Sequence, residues 1–295
     1  MSKNAYIIAG PTASGKSDLA HRIARRTGGV IINCDSVQIY RGIEVISASP
    51  FADRPIAPDI DGVPYRLFSI LDLTRQISVA EYLHLARTEY DAAVAAGRPA
   101  IFVGGTGYYI NAILNGISPM PDVSDDVRRR ARDMVAADID AARRMLPDDF
   151  AFTDPQRVAR ALEIFLQTGR HITEFQHMPR TGAIAPNAHR ILINPPVATS
   201  AAGIVTRIKK MLEIGALDDA RRIIDANWDA RRAIGAAQAC ALVRGDVSYD
   251  AAIADWATKT RQYAKRQRTW FRTQFAADIE FNDVPTDKDI AKIIA

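Results

Sequence analysis

Residues 10 to 17 read Gly-Pro-Thr-Ala-Ser-Gly-Lys-Ser, a GxxxxGK[ST] run between a short apolar segment, Ala5–Ala9, and a helix-patterned one, Lys16–Thr27. Strand, glycine-rich loop and helix in that order leave a chain few folds to choose from. Glycines let the backbone curl until successive N–H groups face one anion. The helix N-terminus adds its partial positive charge, and Lys16 adds a full one. Ser17 offers a hydroxyl to a Mg²⁺ that bridges phosphate oxygens. Gly10, Pro11, Thr12, Ala13, Ser14, Gly15, Lys16 and Ser17 therefore predict a polyphosphate site. The loop alone does not separate a nucleotide from another diphosphate.

The next hundred residues keep alternating short apolar runs with helical patterns, as a parallel sheet requires. Val30–Ile32 reads as a second strand and leads into the loop Asn33–Gly42. Four prolines (Pro50, Pro55, Pro58, Pro64) make residues 49 to 64 a loop. Ser78-Val79-Ala80-Glu81 forms a capping box that opens a helix to about Ala96. Pro99–Val103 is another strand, followed by Gly104-Gly105-Thr106-Gly107 and a helix through about Leu114. After Gly116 residues 121 to 186 turn helical, with Arg128-Arg129-Arg130 on an early helix. Asp154-Pro155 caps another helix, which Gly169 ends. Arg190–Asn194 returns to the sheet, and the remainder reads as helical, ending in a long helix from about Ser248 to Gln274. The expected fold is α/β: a P-loop NTPase-like parallel sheet core over residues 1–118 and 187–295, with helices closing the C-terminal region. A helical insertion over 119–186 interrupts it.

Composition removes several classes. With 295 residues, 48% of them hydrophobic and 24% charged, a sizeable core is expected and wholesale disorder is not. Two cysteines, Cys34 and Cys240, make no disulfide framework or CxxC, and five scattered histidines give no zinc spacing. The start of the chain has no signal-peptide pattern, and no apolar run approaches the ~20 residues that span a bilayer. The expectation is a cytoplasmic protein with no membrane partner.

Two further segments carry chemistry. Asp35-Ser36-Val37-Gln38 follows the second strand at the sheet's carboxyl edge, where α/β folds hold ligands. Asp35 there can hold Mg²⁺, accept a proton from a substrate amine, or merely shape the turn. Gln38 offers a donor and an acceptor suited to an adenine edge. Cys34 reads as a packing residue, since no histidine pattern supports a thiol nucleophile. Between Trp256 and Arg272 lie six basic residues and no acidic one. Arg261, Lys265, Arg268 and Arg272 recur at i, i+4, i+7 and i+11 on one helical face. Trp256, Tyr263 and Trp270 recur every seven residues on another, in the manner of core packing. A basic stripe is either a solvated face or a phosphate-contacting one, and one of its members can instead reach inward to a diphosphate.

GPTASGKS, the DSVQIYRG loop, VGGTGYYINAILNG, DPQRVARALEIFLQTG and TRQYAKRQRTWFR occur in this order from about Tyr6 to Arg272. Together they resemble the bacterial tRNA dimethylallyltransferases (isopentenyl-tRNA transferases). The resemblance implies transfer of a dimethylallyl group from dimethylallyl diphosphate to N6 of the adenosine 3′ of the anticodon. The phosphate loop would hold the diphosphate with Mg²⁺, Lys16 and Ser17 would assist, and Asp35 would be the base. It further implies tRNA contacts at Asp35, Ser36, Val37 and Gln38, at Thr106 and Arg128, and along Gln156, Arg157, Val158, Ala159 and Arg160. With an RNA partner, Arg261, Lys265 and Arg268 read as phosphate contacts, and a monomer is expected. Two places depart from the family pattern: Gly-Thr-Ala-Lys-Pro reads Ile46-Ser47-Ala48-Ser49-Pro50, and the aromatic after Ala-Ile-Gly reads Ala236. The alternative reading is a P-loop kinase or NTPase with Arg128–Arg132 as lid residues. A non-catalytic RNA-binding module accounts for the basic helix alone.

Overall fold

In the computed structural model, which describes residues 4–148, 150–196 and 203–295, β1 (Ala5–Ala9) is buried over its whole length. Its neighbours are β5 (Ala100–Gly104) and β6 (His189–Ile193), both parallel, with Ile8 opposite Val103 and Ile191. A strand covered on both faces needs the continuous apolar run that Ala-Tyr-Ile-Ile-Ala supplies. β2 (Val30–Asn33) flanks β5, and the seven strands run β3-β4-β2-β5-β1-β6-β7. With the glycine-rich loop running from β1 into a helix, this is a P-loop NTPase-like α/β fold. Helix α1 (Lys16–Thr27) begins after Gly15 at φ 85° and ends at Gly28 at φ 68°, both in the left-handed region. It buries Leu19, Ala20, Ile23 and Ala24 in the core beneath the sheet.

Residues 59 to 66 correct the loop expected there. β3 (Asp59–Ile60) and β4 (Val63–Arg66) form an antiparallel hairpin, and β4 pairs with β2 in parallel, Tyr65 opposite Ile31. The turn is Asp61-Gly62 at φ 51° and 75°, the pair of positive angles a two-residue hairpin needs. Pro64 is tolerated because it stands opposite Asp59 in a non-hydrogen-bonded pair, while Tyr65 N donates across the hairpin to Pro58 O at 3.0 Å. The Asp-Gly signal outranks the proline.

The C-terminal end is a second correction. Beyond the long helix, β7 (Ile279–Phe281) adds to the sheet beside β6, and a final helix follows, α12 (Asp287–Ile294). Ile290 and Ile293 of α12 are fully buried in the same core as α1. Arg22 and Arg26 of α1 both bind Asp287. The capping box Thr286–Asp289 was its sequence signal.

Residues Met1–Leu114 with Ile184–Ala295 make one compact unit and Asn115–Ala183 another. The first unit also holds α2 (Val79–Ala95), opened by the Ser78–Glu81 capping box, and most of α3 (Gly107–Asn115). Then come α8 (Ile204–Glu213), α9 (Ala216–Asp225), α10 (Ala236–Arg244) and α11 (Tyr249–Gln274). The second unit is helical: α4 (Asp125–Ala137), α5 (Ile139–Arg143), α6 (Pro155–Thr168) and α7 (Ile172–Gln176). Asp154 caps α6 by accepting from Arg157 N at 3.0 Å, and Gly169 ends it at φ 70°. Its core is its own, built on Val135, Leu146, Phe150, Val158, Leu162 and Phe175. Among the described residues no helix is long and apolar enough to cross a membrane.

Candidate active site

A cleft of about 740 Å³ lies in the first unit, and both the phosphate loop and the loop after β2 line it. The phosphate loop is built by backbone contortion. Ala13 at φ 62° and Gly15 at φ 85° are left-handed, and Gly10 sits so close to Ile193 O and Ser14 that a Cβ has no room. Ser14 is 2% exposed, and its hydroxyl has no hydrogen-bond partner among the described residues, which leaves it free for a ligand oxygen. Lys16 donates to Pro11 O at 3.2 Å. Burial lowers its amine to about 8; nearby Asp35 opposes that shift and Arg207 adds to it. Ser17 stands exposed in the first turn of α1, on the cleft. Among the described residues no three His, Cys, Asp or Glu side chains gather to hold a metal.

Asp35 is fixed by its own turn. Its N–H donates to Asn33 Oδ1 at 2.8 Å, and its Oδ1 accepts from Val37 N at 2.9 Å. Asn33 is buried and donates to Asp35 O and Leu67 O, so a strand-end asparagine holds the acidic loop open towards the cleft. Thr106 clamps the same loop: its Oγ1 accepts from Ser36 N at 3.0 Å. Gln38 lines the cleft with its amide donors already engaged, on Ser47 O and Ala48 O at 3.1 Å each. The turn they hold is also pinned by buried Asp219, which accepts from Val45 N and Ile46 N at 2.9 Å. Burial pushes the Asp219 carboxyl up to about 6. Gln38 therefore shapes the 44–48 turn, a role its residue type did not announce. Cys34 is fully buried and burial pushes its thiol up to about 12, so it packs and does not react.

The glycines of the Val-Gly-Gly-Thr-Gly run have separate reasons. A Cβ at Gly104 would meet the Cys34 backbone, at Gly105 the Gln267 amide, and at Gly107 the Trp270 ring. Two of these neighbours belong to α11. Along that helix Trp256, Thr260, Tyr263 and Gln267 line the cleft at i, i+4, i+7 and i+11. The basic stripe repeats the same spacing five residues later, roughly 140° around the helix. One helix thus presents a cleft face and, well away from it, a basic one.

This corrects two expectations. Trp256 and Tyr263 are walls of the cleft and not only core, whereas Trp270 packs on Gly107. Arg261, Lys265 and Arg272 are exposed, but Arg268 is half-buried and donates to Pro195 O at 3.2 Å, turned from the open stripe. The basic residue of α11 that reaches the cleft is Arg266. Reading the sequence missed Arg207 and Lys210 of α8 and Arg231 and Arg232 after α9, all lining the cleft. Burial lowers Arg207. Arg232 lies over the rings of Tyr40 and Trp228, at 5.5 and 5.6 Å. No motif marks these residues, because the tertiary fold alone brings α8 and the turn after α9 to the cleft that the phosphate loop lines. Ile46, Ile208, Met211, Ile214, Ile234 and Trp256 make the cleft's apolar lining. Ala236, where the family pattern has an aromatic, is fully buried, and the Trp256 ring leaves no room for a Cβ at adjacent Gly235.

In the second unit, Arg128 pairs with Asp125 at 3.3 Å, Arg157 with Asp154 at 3.4 Å and Arg160 with Glu163 at 3.0 Å. Arg157 also lies 4.3 Å over the Phe152 ring. Val158 and Ala159 are buried in that unit's core, which corrects the expectation that they meet RNA. An i, i+3, i+4 face turned inward leaves Gln156, Arg157 and Arg160 as the presenting side chains.

A family model described as IPP transferase matches residues 38–274, and one described as isopentenyl transferase matches residues 3–55. A tRNA dimethylallyltransferase of Rhodospirillum rubrum is 40% identical over 92% of this chain and 86% of its own length. That of Paramagnetospirillum magneticum is 36% identical over 98% and 94%. A tRNA isopentenylpyrophosphate transferase of Bacillus halodurans superposes with a TM-score of 0.67 at 28% identity, covering 99% of this chain and 94% of its own. A eukaryotic dimethylallyltransferase, crystallised acting on tRNA, shares the fold with a TM-score of 0.72 at 23% identity, over 96% and 74%.

Proposed function

The chain belongs to the IPP transferase family, whose relatives are tRNA dimethylallyltransferases, and on that premise we propose that it prenylates tRNA from this cleft. The donor is dimethylallyl diphosphate and the acceptor is N6 of the adenosine 3′ of the anticodon. The observation that carries this reading is one cleft with two chemistries. Lys16, Arg207 and the phosphate loop offer a polyanion site, and Ile208, Met211, Ile234 and Trp256 offer an apolar surface suited to an isoprenyl tail.

In this mechanism the N6 nitrogen forms a bond to C1 of the dimethylallyl group while the C–O bond to diphosphate breaks. The electron pair leaves with the diphosphate. Backbone N–H groups of the phosphate loop, the Lys16 ammonium and the Arg207 guanidinium stabilise the charge growing there. Asp35 takes the N6 proton, which raises the nucleophilicity of an amine whose lone pair is otherwise delocalised into the ring. Its turn leaves it oriented before substrate arrives. Mg²⁺ suits the donor set: with no carboxylate cage among the described residues, Ser17, diphosphate oxygens and water would hold it, and it would neutralise leaving-group charge. The base must leave its stack to enter the cleft. Exposed Arg261, Lys265 and Arg272, with Arg128, Gln156, Arg157 and Arg160, are the RNA-facing groups of this reading, and the enzyme works as a monomer. The test is to incubate the protein with unmodified tRNA and either labelled dimethylallyl diphosphate or labelled ATP. Label entering RNA from the isoprenyl donor alone supports the reading, and transfer from ATP contradicts it.

A further inference from the structure

Gln267 is buried, 7% exposed, in a helix whose neighbouring turns are otherwise apolar or solvent-facing. Both ends of its carboxamide are used, and neither on its own helix. The Oε1 accepts from Thr12 N at 2.9 Å, in the phosphate loop, and the Nε2 donates to Gly105 O at 2.9 Å, in the turn after β5. Gly105 is bare at this point because any Cβ would strike that amide. One side chain therefore ties three segments that are remote in sequence: the phosphate loop, the glycine turn and α11.

We propose that Gln267 is a positioning residue of the diphosphate site. Although it borders the cleft, it acts through the two groups it binds, Thr12 N–H and Gly105 O. Thr12 N–H precedes the left-handed Ala13, where the loop turns its later N–H groups inward. Holding that donor at one point fixes where the curl begins. The same amide sets the register of α11 against the loop, so Tyr263 and Arg266, one turn and one residue before it, face the cleft at fixed depth. A glutamine suits this job because the two bonds need one acceptor and one donor on a single planar group. A buried bond partner left unmade is costly, so the loop has little freedom to drift while the bridge stands.

The inference rests on the cleft binding diphosphate, so the experiment begins with inorganic diphosphate and the unaltered protein. Failure of wild type to bind it would count against the proposed function itself. With wild-type binding established, Gln267→Met keeps the side chain's length, removes both hydrogen bonds and adds no charge. Diphosphate affinity is expected to fall about tenfold, the scale of one buried hydrogen bond lost. In turnover the donor KM is expected to rise while the tRNA KM stays unchanged. Gln267→Glu gives an independent readout, since a protonated carboxyl can again donate to Gly105 O. Its affinity relative to wild type, measured at each pH, is expected to recover as the solution is made acidic. Diphosphate binding by Gln267→Met within about twofold of wild type would overturn the proposal, twofold being a small fraction of one hydrogen bond. So would equal rises in the KM of donor and tRNA, the mark of general loosening. If the methionine variant does not fold, the pH profile of Gln267→Glu decides: no recovery on acidification overturns it.

Discussion

Lys16 and Arg157 carry the same formal charge in different surroundings. Lys16 lies in a cleft where burial pulls its amine down to about 8, bonded to a carbonyl of its own loop. Arg157 stands exposed on the insertion, paired with an aspartate three residues before it and lying over an aromatic ring. Charge in a desolvated crevice interacts strongly with an anion that displaces water, and the fold must hold it there. Charge on a helix surface interacts weakly with any one partner, is screened by salt, and exchanges aspartate for an RNA phosphate at little cost. The first arrangement suits one small leaving group. The second suits a long polyanion met at many points.

Removing the cleft charge should cost most: Lys16→Ala is expected to cut turnover ~10²-fold or more, the scale of one lost preorganised donor. Its tRNA affinity should hardly change. Steady-state kinetics beside filter binding checks both, and a parallel loss of tRNA binding would break the distinction.

A smaller effect comes with pH. Lys16 must be charged to hold diphosphate, and its pKa is lowered, so affinity should fall as pH rises through about 8. The decline approaches at most about tenfold per pH unit. Lys16→Arg stays charged throughout, so the ratio of wild-type to variant affinity, read by calorimetry, should fall across that window.

Exposed charges should act least individually and through salt. Each of Arg261, Lys265 and Arg272 replaced by alanine is expected to flatten log tRNA affinity against log salt by roughly 0.7 to 0.9. Arg268→Ala should change that slope less, because Arg268 is half-buried and bonded to Pro195. Equal slopes for all four variants would return Arg268 to the stripe.

The difference between the regions also governs what the sequence made legible. The phosphate loop, the Ser78 and Asp154 caps and the glycine stop at Gly169 are local devices, readable within a few residues, and each stands where its residues predict. The Asp59–Arg66 hairpin was hidden by proline count although its Asp-Gly turn was in plain view. Arg207 was harder, since nothing around it in the sequence marks it; Arg266 and Gln267 stand in the TRQYAKRQRTWFR run, but their roles arise from contacts made across the fold. The five-residue offset between the two faces of α11 was countable from sequence. Only the structure says which face meets the cleft.

Asp35 is where the account is most exposed. Its turn is fixed by Asn33 and Val37, it lines the cleft with Lys16, and the mechanism assigns it the N6 proton. Asp35→Asn keeps the size and one acceptor while removing basicity, so tRNA and diphosphate binding should survive. Single-turnover transfer from dimethylallyl diphosphate, measured for both proteins across a Mg²⁺ series, is the decisive measurement. The expected rate for Asp35→Asn is at least ~10²-fold lower at every Mg²⁺ concentration, within the range for a lost general base. Full rescue by excess metal would make Asp35 a metal ligand instead, and a wild-type rate throughout would remove it from the chemistry.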